Sequence, residues 1–355
     1  MKALILAGGS GTRLRPLTHT ASKQLVPIAN KPILFYGLEA IAECGIHEVG
    51  VVVGHTALEV QAAVGDGSEF GLQVTYLSQD APRGLAHAVL IAREFLGDDD
   101  FVMYLGDNFL VGGIAEIVEG FATREASTAA GILLARVPDP RKFGVAEVSP
   151  DGTVLRLVEK PDIPPSDLAL VGVYLFDRRI HDAVSQIAPS ARGELEITDA
   201  ISHLISMGYG VKSSMVDGYW KDLGDPEALL DGNRIALMAI RSSIMGEVVD
   251  SKVEGLVRIE AGARIVDSIV RGPAVIGRDV SLQSSYVGPF SAIGDRCTIT
   301  SSEIVNSIIL SDSQVDNVGS LEGSVIGKFA MIGHRTERPR ATKLVVGDHA
   351  RVELL

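Results

Sequence analysis

Between Gly8 and Arg13 the chain reads Gly-Gly-Ser-Gly-Thr-Arg, and the cations around it have no acidic counterpart. Lys2, Arg13, Arg15, Lys23 and Lys31 all precede Glu39, the first acidic residue. Glycines tolerate positive φ and let a bound group approach the backbone. A glycine turn followed by positive charge therefore presents N–H groups and cations to phosphates. The whole chain carries a formal charge of −13, so this stretch is out of character with the rest. A loop that only closed a strand-to-helix connection would not need the cations. Lys23 is the cation best placed to meet a nucleotide's phosphates, and Arg13 lies on the loop itself, which makes these two the catalytic candidates. Asp107 follows the apolar run Phe101 to Leu105. A carboxylate at the carboxyl end of a parallel strand suits Mg²⁺, which takes one or two carboxylates plus phosphate oxygens. An N-cap for a following helix is the plainer reading of the same residue. Asp222, in Trp220-Lys221-Asp222-Leu223-Gly224, is the candidate second ligand, with a helix-start carboxylate as its alternative. The eight histidines are scattered and form no nucleophile–base constellation.

The loop is not a P-loop, because no Gly-Lys-Ser/Thr follows at the required spacing. It departs from the dinucleotide fingerprint too, with Leu14 where the third glycine belongs. The stretch Gly8 to Thr18, read as GGxGTRLxPLT and followed by Lys23-Gln24-Leu25-Val26-Pro27, resembles the signature of the sugar-1-phosphate nucleotidylyltransferases. Lys23-Gln24-Leu25 resembles the glucose-1-phosphate thymidylyltransferases in particular. That resemblance implies a nucleotide site made of Gly8, Gly9, Gly11, Thr12, Arg13, Lys23, Gln24, Gln79, Gly84 and Asp107. It implies that Asp107 and Asp222 hold the metal, Mg²⁺. Glu159 of Glu159-Lys160-Pro161 would bind sugar hydroxyls and Lys160 the sugar phosphate, with Gly144, Val171 and Tyr174 completing that pocket. Taken alone, Glu159-Lys160-Pro161 also reads as a surface charge pair before a proline turn. Gln79 and Gly84 match the family's base-reading positions, and an amide suits the carbonyl and N–H of a pyrimidine imide edge. His87 stands where short relatives commonly carry glutamine, and Gly193 to Asp199 (GELEITD) is family-like and assigned to architecture. The implied reaction takes dTTP and glucose 1-phosphate to dTDP-glucose and pyrophosphate, a first step towards dTDP-deoxysugars.

Several elements must position these residues. Ala3 to Ala7 reads as a buried parallel strand, Ile33 to Gly45 as a helix closed by Gly45, and Glu48 to Gly54 as a second strand. A helix over Thr56 to Val64, a strand over Gln73 to Leu77, a helix over Leu85 to Leu96 and the strand Phe101 to Leu105 follow. Alternation of this kind predicts a doubly wound, mostly parallel α/β sheet with ligands at its strand carboxyl ends. Then come a strand over Ala129 to Val137, a hairpin from Gly144–Val148 and Val154–Glu159, and a strand over Ala169 to Phe176. A helix over Gly193 to Ser206, a strand over Val211 to Val216 and a helix over Asp225 to Arg241 complete the first part. The change of texture near Ser242 predicts one domain at 1–242, which the resemblance makes the nucleotidyltransferase domain, and a second, hexapeptide-repeat domain at 243–355.

From Asp267 the chain falls into blocks of seventeen residues starting at 267, 284 and 301. Aliphatics recur at every sixth position within the first two blocks: Val270, Ile276 and Leu282, then Val287, Ile293 and Ile299. Ile304 and Leu310 continue the series. This period predicts a left-handed parallel β-helix of hexapeptide turns, capped by a strand pair within Thr342 to Leu355. Such a tail contributes assembly and stability, and points to a homo-oligomer.

With 46 % hydrophobic and 22 % charged residues the chain can bury a sizeable core. Its acidic balance argues against nucleic acid and anionic membranes as partners. No apolar run reaches membrane-spanning length, and no targeting segment is read. Cys44 and Cys297, far apart in sequence, predict reduced thiols in a cytoplasmic protein. Against the leading reading stand a uridylyl- or guanylyltransferase for another sugar phosphate, a hexapeptide-repeat acyltransferase, and a silent nucleotide-sugar sensor. The acyltransferase would want a histidine within the coils, yet His334 and His349 lie past the regular blocks. The sensor would not need Arg13, Lys23, Asp107 and Asp222 together.

Overall fold

The computed structural model describes residues 1–9, 11–19 and 22–333. The expected strand pair at the extreme C-terminus lies outside them. Contacts divide the chain into two compact units. The first takes Met1–Gly11, Ala21–Val26 and Pro32–Gly224, and the second takes Thr12–Thr20, Pro27–Lys31 and the chain from Asp225 onward.

The first unit is built on a nine-stranded sheet. Its strands are β1 (Lys2–Leu6), β2 (Glu48–Val53), β3 (Gln73–Ser78), β4 (Phe101–Leu105), β5 (Thr128–Arg136), β6 (Gly144–Val148), β7 (Val154–Glu159), β8 (Leu168–Phe176) and β9 (Gly210–Met215). The order β7-β6-β8-β4-β1-β2-β3 runs across the sheet, with β5 against β8 and β9 against β5. β4, β1, β2 and β3 are mutually parallel, which the right-handed crossover helices between them require. β8 enters antiparallel to both β4 and β5, so the sheet is mixed beyond these four strands. Along β1, Leu4 packs into one apolar cluster while Ala3 and Ile5 pack into the other, so both faces are covered.

Local chemistry accounts for where the helices differ from the sequence reading. The span Leu85 to Leu96 is two helices, Leu85–Ile91 and Arg93–Leu96, parted at Ala92. The later helix starts at Ile197 because the preceding backbone is already committed. Leu195 N donates to Arg83 O at 2.8 Å and Leu195 O accepts from Ala86 N at 3.0 Å. Two eight-residue helices, Ala115–Ala122 and Arg179–Gln186, were not anticipated. No helix among the described residues is long and apolar enough to cross a membrane.

In the second unit, three parallel sheets of six, six and five short strands form the faces of the β-helix. Val257, Ala274 and Ser291 stack at seventeen-residue steps. The step shortens by one residue at Ala292 against Ile308, because the corner before Ile308 is shorter. Ile309 and Val315 therefore join the apolar interior, where the six-residue series had placed Leu310. At one corner the residues Asp250, Asp267, Ser284, Ser301 and Asn317 all have φ between 46° and 53°. The residue after each of the first four is a serine in a continuous ladder. Ser251 Oγ accepts from Ser268 N (3.0 Å), Ser268 Oγ from Ser285 N (3.0 Å), and Ser285 Oγ from Ser302 N (3.2 Å). Each hydroxyl also donates to the carbonyl two residues back in its own coil, as Ser285 does to Gln283 O at 2.7 Å. The ladder ends where Ser302 Oγ receives Val318 N at 3.0 Å.

The helix Pro226–Met238, capped by the Asp225 carboxylate on Ala228 N at 2.9 Å, belongs to this second unit. The expected division at residue 242 and the contact division at Asp225 thus differ by that helix. Asn233, completely buried within it, donates to Phe290 O of the β-helix at 2.9 Å.

Candidate active site

β1 and β4 are neighbours and end side by side, which sets the glycine turn next to Asp107. A cleft of about 190 Å³ opens there, lined by Gly8, Gly9, Gln24, Gln79, Gly84 and Asp107 among others. A Cβ on Gly8 would stand 3.4 Å from Gln79 Oε1, and one on Gly9 would stand 3.2 Å from Gln24 Nε2. Bare backbone at these two positions keeps both amides within reach of the cleft. Gln24 is fixed by Ser22, whose hydroxyl donates to Gln24 Oε1 at 2.9 Å. Gln79 is fixed by His87, since Gln79 Nε2 lies 3.0 Å from His87 Nδ1 and 3.4 Å from Gly84 O. Gly84 has φ 100°, and a Cβ there would fall 2.3 Å from Leu195 O. Only glycine fits that turn.

Asp107 and Asp222 are brought together by a two-stranded antiparallel ribbon, Asn108–Leu110 with Trp220–Asp222. Asn108 ties the ribbon to the carboxylate: its Nδ2 donates to Asp107 Oδ1 at 3.0 Å and its Oδ1 accepts from Trp220 Nε1 at 2.6 Å. Both carboxylates converge on Lys23, with Asp107 Oδ2 in direct contact with Nζ and Asp222 Oδ1 at 3.5 Å. Lys23 lies in the short turn Lys23–Leu25 and its side chain is 7 % exposed. Burial would raise the Asp107 carboxyl, but the Lys23 ammonium and the Asn108 amide outweigh it and hold it below its ordinary value. Two hard anionic oxygens aimed at one cationic point match the donor set of a small divalent metal. No group of three or more acidic, histidine or cysteine ligands occurs among the described residues, so the remaining ligands would come from substrate or water.

β6 and β7 pair Gly144 with Glu159. A Cβ on Gly144 would stand 3.2 Å from Glu159 Oε2, so glycine leaves that carboxylate room. Glu159 accepts from Thr198 Oγ1 at 3.3 Å and Arg192 Nη2 at 3.2 Å, and Lys160 Nζ lies 3.6 Å away. Burial pushes the Glu159 carboxyl up, opposed by the Lys160 charge and reinforced by Glu196. Lys160 itself is partly exposed and adopts φ 41°. Val171 and Tyr174 are core side chains, at 0 % and 4 % exposure. What that segment offers a ligand is backbone: the ladder between β8 and β5 slips between Leu170 and Tyr174. A Cβ on Gly172 within the slip would lie 2.8 Å from Asn108 Nδ2, so this bare stretch abuts the ribbon beside Asp107.

Thr12 and Arg13 are exposed and belong with the second unit, whereas Gly8, Gly9, Lys23, Gln24 and Asp107 belong with the first. Sequence reasoning missed Asn108 and Trp220 as the braces of the carboxylates, and Arg192 and Thr198 as the partners of Glu159. A signal existed for the last two: both lie in or beside the Gly193 to Asp199 motif, which had been assigned to architecture.

The nucleotidyl transferase family model matches residues 2–238. A glucose-1-phosphate thymidylyltransferase from Streptomyces antibioticus is 54 % identical over 355 residues, covering 100 % of this chain and 99 % of that protein. The low-salt glycan biosynthesis nucleotidyltransferase Agl11 of Haloferax volcanii is 45 % identical over 308 residues, 86 % of each chain. A Bacillus anthracis protein provisionally assigned as a glucose-1-phosphate thymidylyltransferase and crystallised with sucrose superposes with a TM-score of 0.63. It shares 34 % identity and covers 68 % of this chain and 97 % of its own. With the family model spanning most of its length and a relative matching it end to end, the chain belongs to the nucleotidyl transferase family.

Proposed function

We propose that this chain is a glucose-1-phosphate thymidylyltransferase, transferring a thymidylyl group from dTTP to α-D-glucose 1-phosphate. The observation that carries the mechanism is the convergence of Asp107 and Asp222 on Lys23 beside a glycine-lined cleft. The backbone of Gly8, Gly9 and Gly11 supplies N–H donors to the triphosphate, and Lys23 and Arg13 supply charge. With Gln79 Nε2 engaged by His87, its Oε1 is the atom left to accept the pyrimidine imide N–H. Glu159 accepts hydroxyls of the sugar and Lys160 meets its phosphate.

The nucleophile is an oxygen of the sugar phosphate, a dianion near neutrality because its second pKa is about 6. It forms a bond to the α-phosphorus of dTTP as the bond from that phosphorus to the bridging oxygen breaks, and pyrophosphate leaves with the electron pair. No proton need be removed from the nucleophile, so the step calls for no general base. Catalysis reduces to in-line positioning and charge neutralisation. Members of this family work with a divalent cation, and Asp107 and Asp222 would hold Mg²⁺ here. Bound there, the ion would supply positive charge to offset that of the phosphates. The first unit would serve nucleotide and sugar phosphate, and the β-helix would serve assembly into a homo-oligomer. Two free cysteines fit a reducing, cytoplasmic setting.

Five nucleoside triphosphates assayed against several sugar 1-phosphates, by pyrophosphate release, test the assignment. dTTP with glucose 1-phosphate gives the highest kcat/KM. UTP is a poorer but detectable donor, because one methyl contact supplies only about 1–3 kcal/mol. A preference for GTP or ATP overturns the role of Gln79.

A further inference from the structure

The strap Ser22–Val26, which carries Lys23 and Gln24, is flanked on both sides by chain belonging to the β-helix unit. Before it comes Thr12–Thr20 and after it Pro27–Lys31. The second flank is a hairpin, Pro27–Ile28 with Lys31–Pro32, turned by Ala29 and Asn30 at φ 48° and 61°. Two consecutive positive φ values are the signature of a type I′ turn, and alanine adopts the first of them only with strain. Strain of this kind persists where surrounding structure over-determines it.

Here the surroundings do so with three hydrogen bonds, all from the second unit. Ala29 N donates to Asn233 Oδ1 at 2.8 Å, and Arg258 Nη2 donates to Ala29 O at 3.2 Å. Asn30 Nδ2 donates to Ile293 O in the β-helix at 2.6 Å. Asn233 is 0 % exposed, and its other end donates to Phe290 O, so a single buried amide joins the hairpin tip to the β-helix. Arg258 and Ile293 lie on stacked strands of one β-helix sheet.

We infer that Asn233 is a positioning residue for nucleotidyl transfer: with Arg258 and Asn30 it anchors the Ala29–Asn30 turn to the β-helix and so sets the strap that bears Lys23 and Gln24. The tail then does more than assemble and stabilise, because its early coils hold one end of a catalytic segment. The catalytic part of this inference rests on the proposed function; the anchoring part does not.

Backbone hydrogen exchange and steady-state kinetics on the full chain test both parts. Asn233→Ala removes both ends of the amide, and Asn30→Gly removes one anchor while relaxing the backbone. In each, amides of residues 22–33 exchange at least about tenfold faster, because the anchor that held them closed is gone. kcat falls by roughly ten- to a hundredfold, as a small misplacement of a charge-bearing group does, with less change in KM. Tm and oligomeric mass of Asn30→Gly stay near wild type, which a purely structural role for the turn would not combine with a loss of kcat. Should Asn233→Ala fail to fold, Asn30→Gly and Arg258→Ala decide the matter. Exchange and kcat within twofold of wild type in these variants overturn the inference. The exchange measurement needs no substrate, so it judges the anchor even if the activity assignment fails.

Discussion

Replacing Asp107 by asparagine preserves the shape of the side chain and removes one of the two negative charges focused on Lys23. The fold around it should survive: the ribbon is held by backbone pairing, and Leu223 N still donates to Asp107 O at 3.1 Å. What changes is electrostatic. A pair of unit charges 3.5 Å apart, the separation of Asp222 from Lys23, attracts by about 5 kcal/mol at an effective dielectric of ~20. A divalent cation would double that, and the water reaching these partly exposed carboxylates would take some of it back. We expect a net loss of about 3–5 kcal/mol of transition-state stabilisation, which is ~10²–10⁴-fold in kcat. Asp222→Asn behaves alike, and the double variant costs far less than the two losses added, since both carboxylates act through one cation. The assay is pyrophosphate release as a function of Mg²⁺ concentration, with circular dichroism confirming that each variant is folded. Near-native kcat for Asp107→Asn at limiting Mg²⁺ would leave Asp107 as a structural carboxylate and refute the mechanism.

Two further expectations concern the scaffold. Gly84→Ala places a Cβ 2.3 Å from Leu195 O at φ 100°, so strain and overlap together cost about 2–5 kcal/mol; a urea midpoint unchanged from wild type would show that the turn relaxes freely. His181 is buried against Phe101 with Arg93, Asp98 and Asp182 nearby, and burial followed by Arg93 depresses its pKa while the two aspartates oppose. The native state therefore binds fewer protons than the unfolded one. Its contribution is complete above the unfolded pKa of about 6.5 and declines as pH falls below it, by up to ~1.4 kcal/mol per unit. Urea midpoints from pH 5 to 7 should flatten in His181→Leu, and parallel slopes in the two proteins would remove His181 as the cause.

The parts of this molecule written locally were legible in the chain. An apolar strand emptying into glycines, a strand ending two residues before Asp107 and a seventeen-residue repeat are each complete within one segment. What was hidden depends on segments far apart. Nothing near Asn108 announces that Trp220 will hydrogen-bond it, because the two lie 112 residues apart and meet only through the pairing of the ribbon. The helix Pro226–Met238 has the periodicity of any amphipathic helix, and only Asn233's partners reveal which unit it serves. Val171 and Tyr174 illustrate a subtler gap. A motif match points to positions, whereas the structure offers backbone at the β8 slip and keeps both side chains in the core.

The serine ladder has a consequence for how such a protein can grow or shrink. Each hydroxyl takes an N–H from the coil above and gives its proton within its own coil, so the polar accounts of one layer close only when the next layer arrives in register. A partial insertion would leave buried amides facing no acceptor and would move αL corners onto residues unable to hold them. A whole-layer insertion renews the same pattern without a seam. The one-residue shortening before Ile308 avoids the ladder corner, falling on a different edge of the triangle. Length in the β-helix therefore changes without disturbing the column by complete layers, and the shorter coil between Ser302 and Val318 keeps its rung because the missing residue lies at another corner.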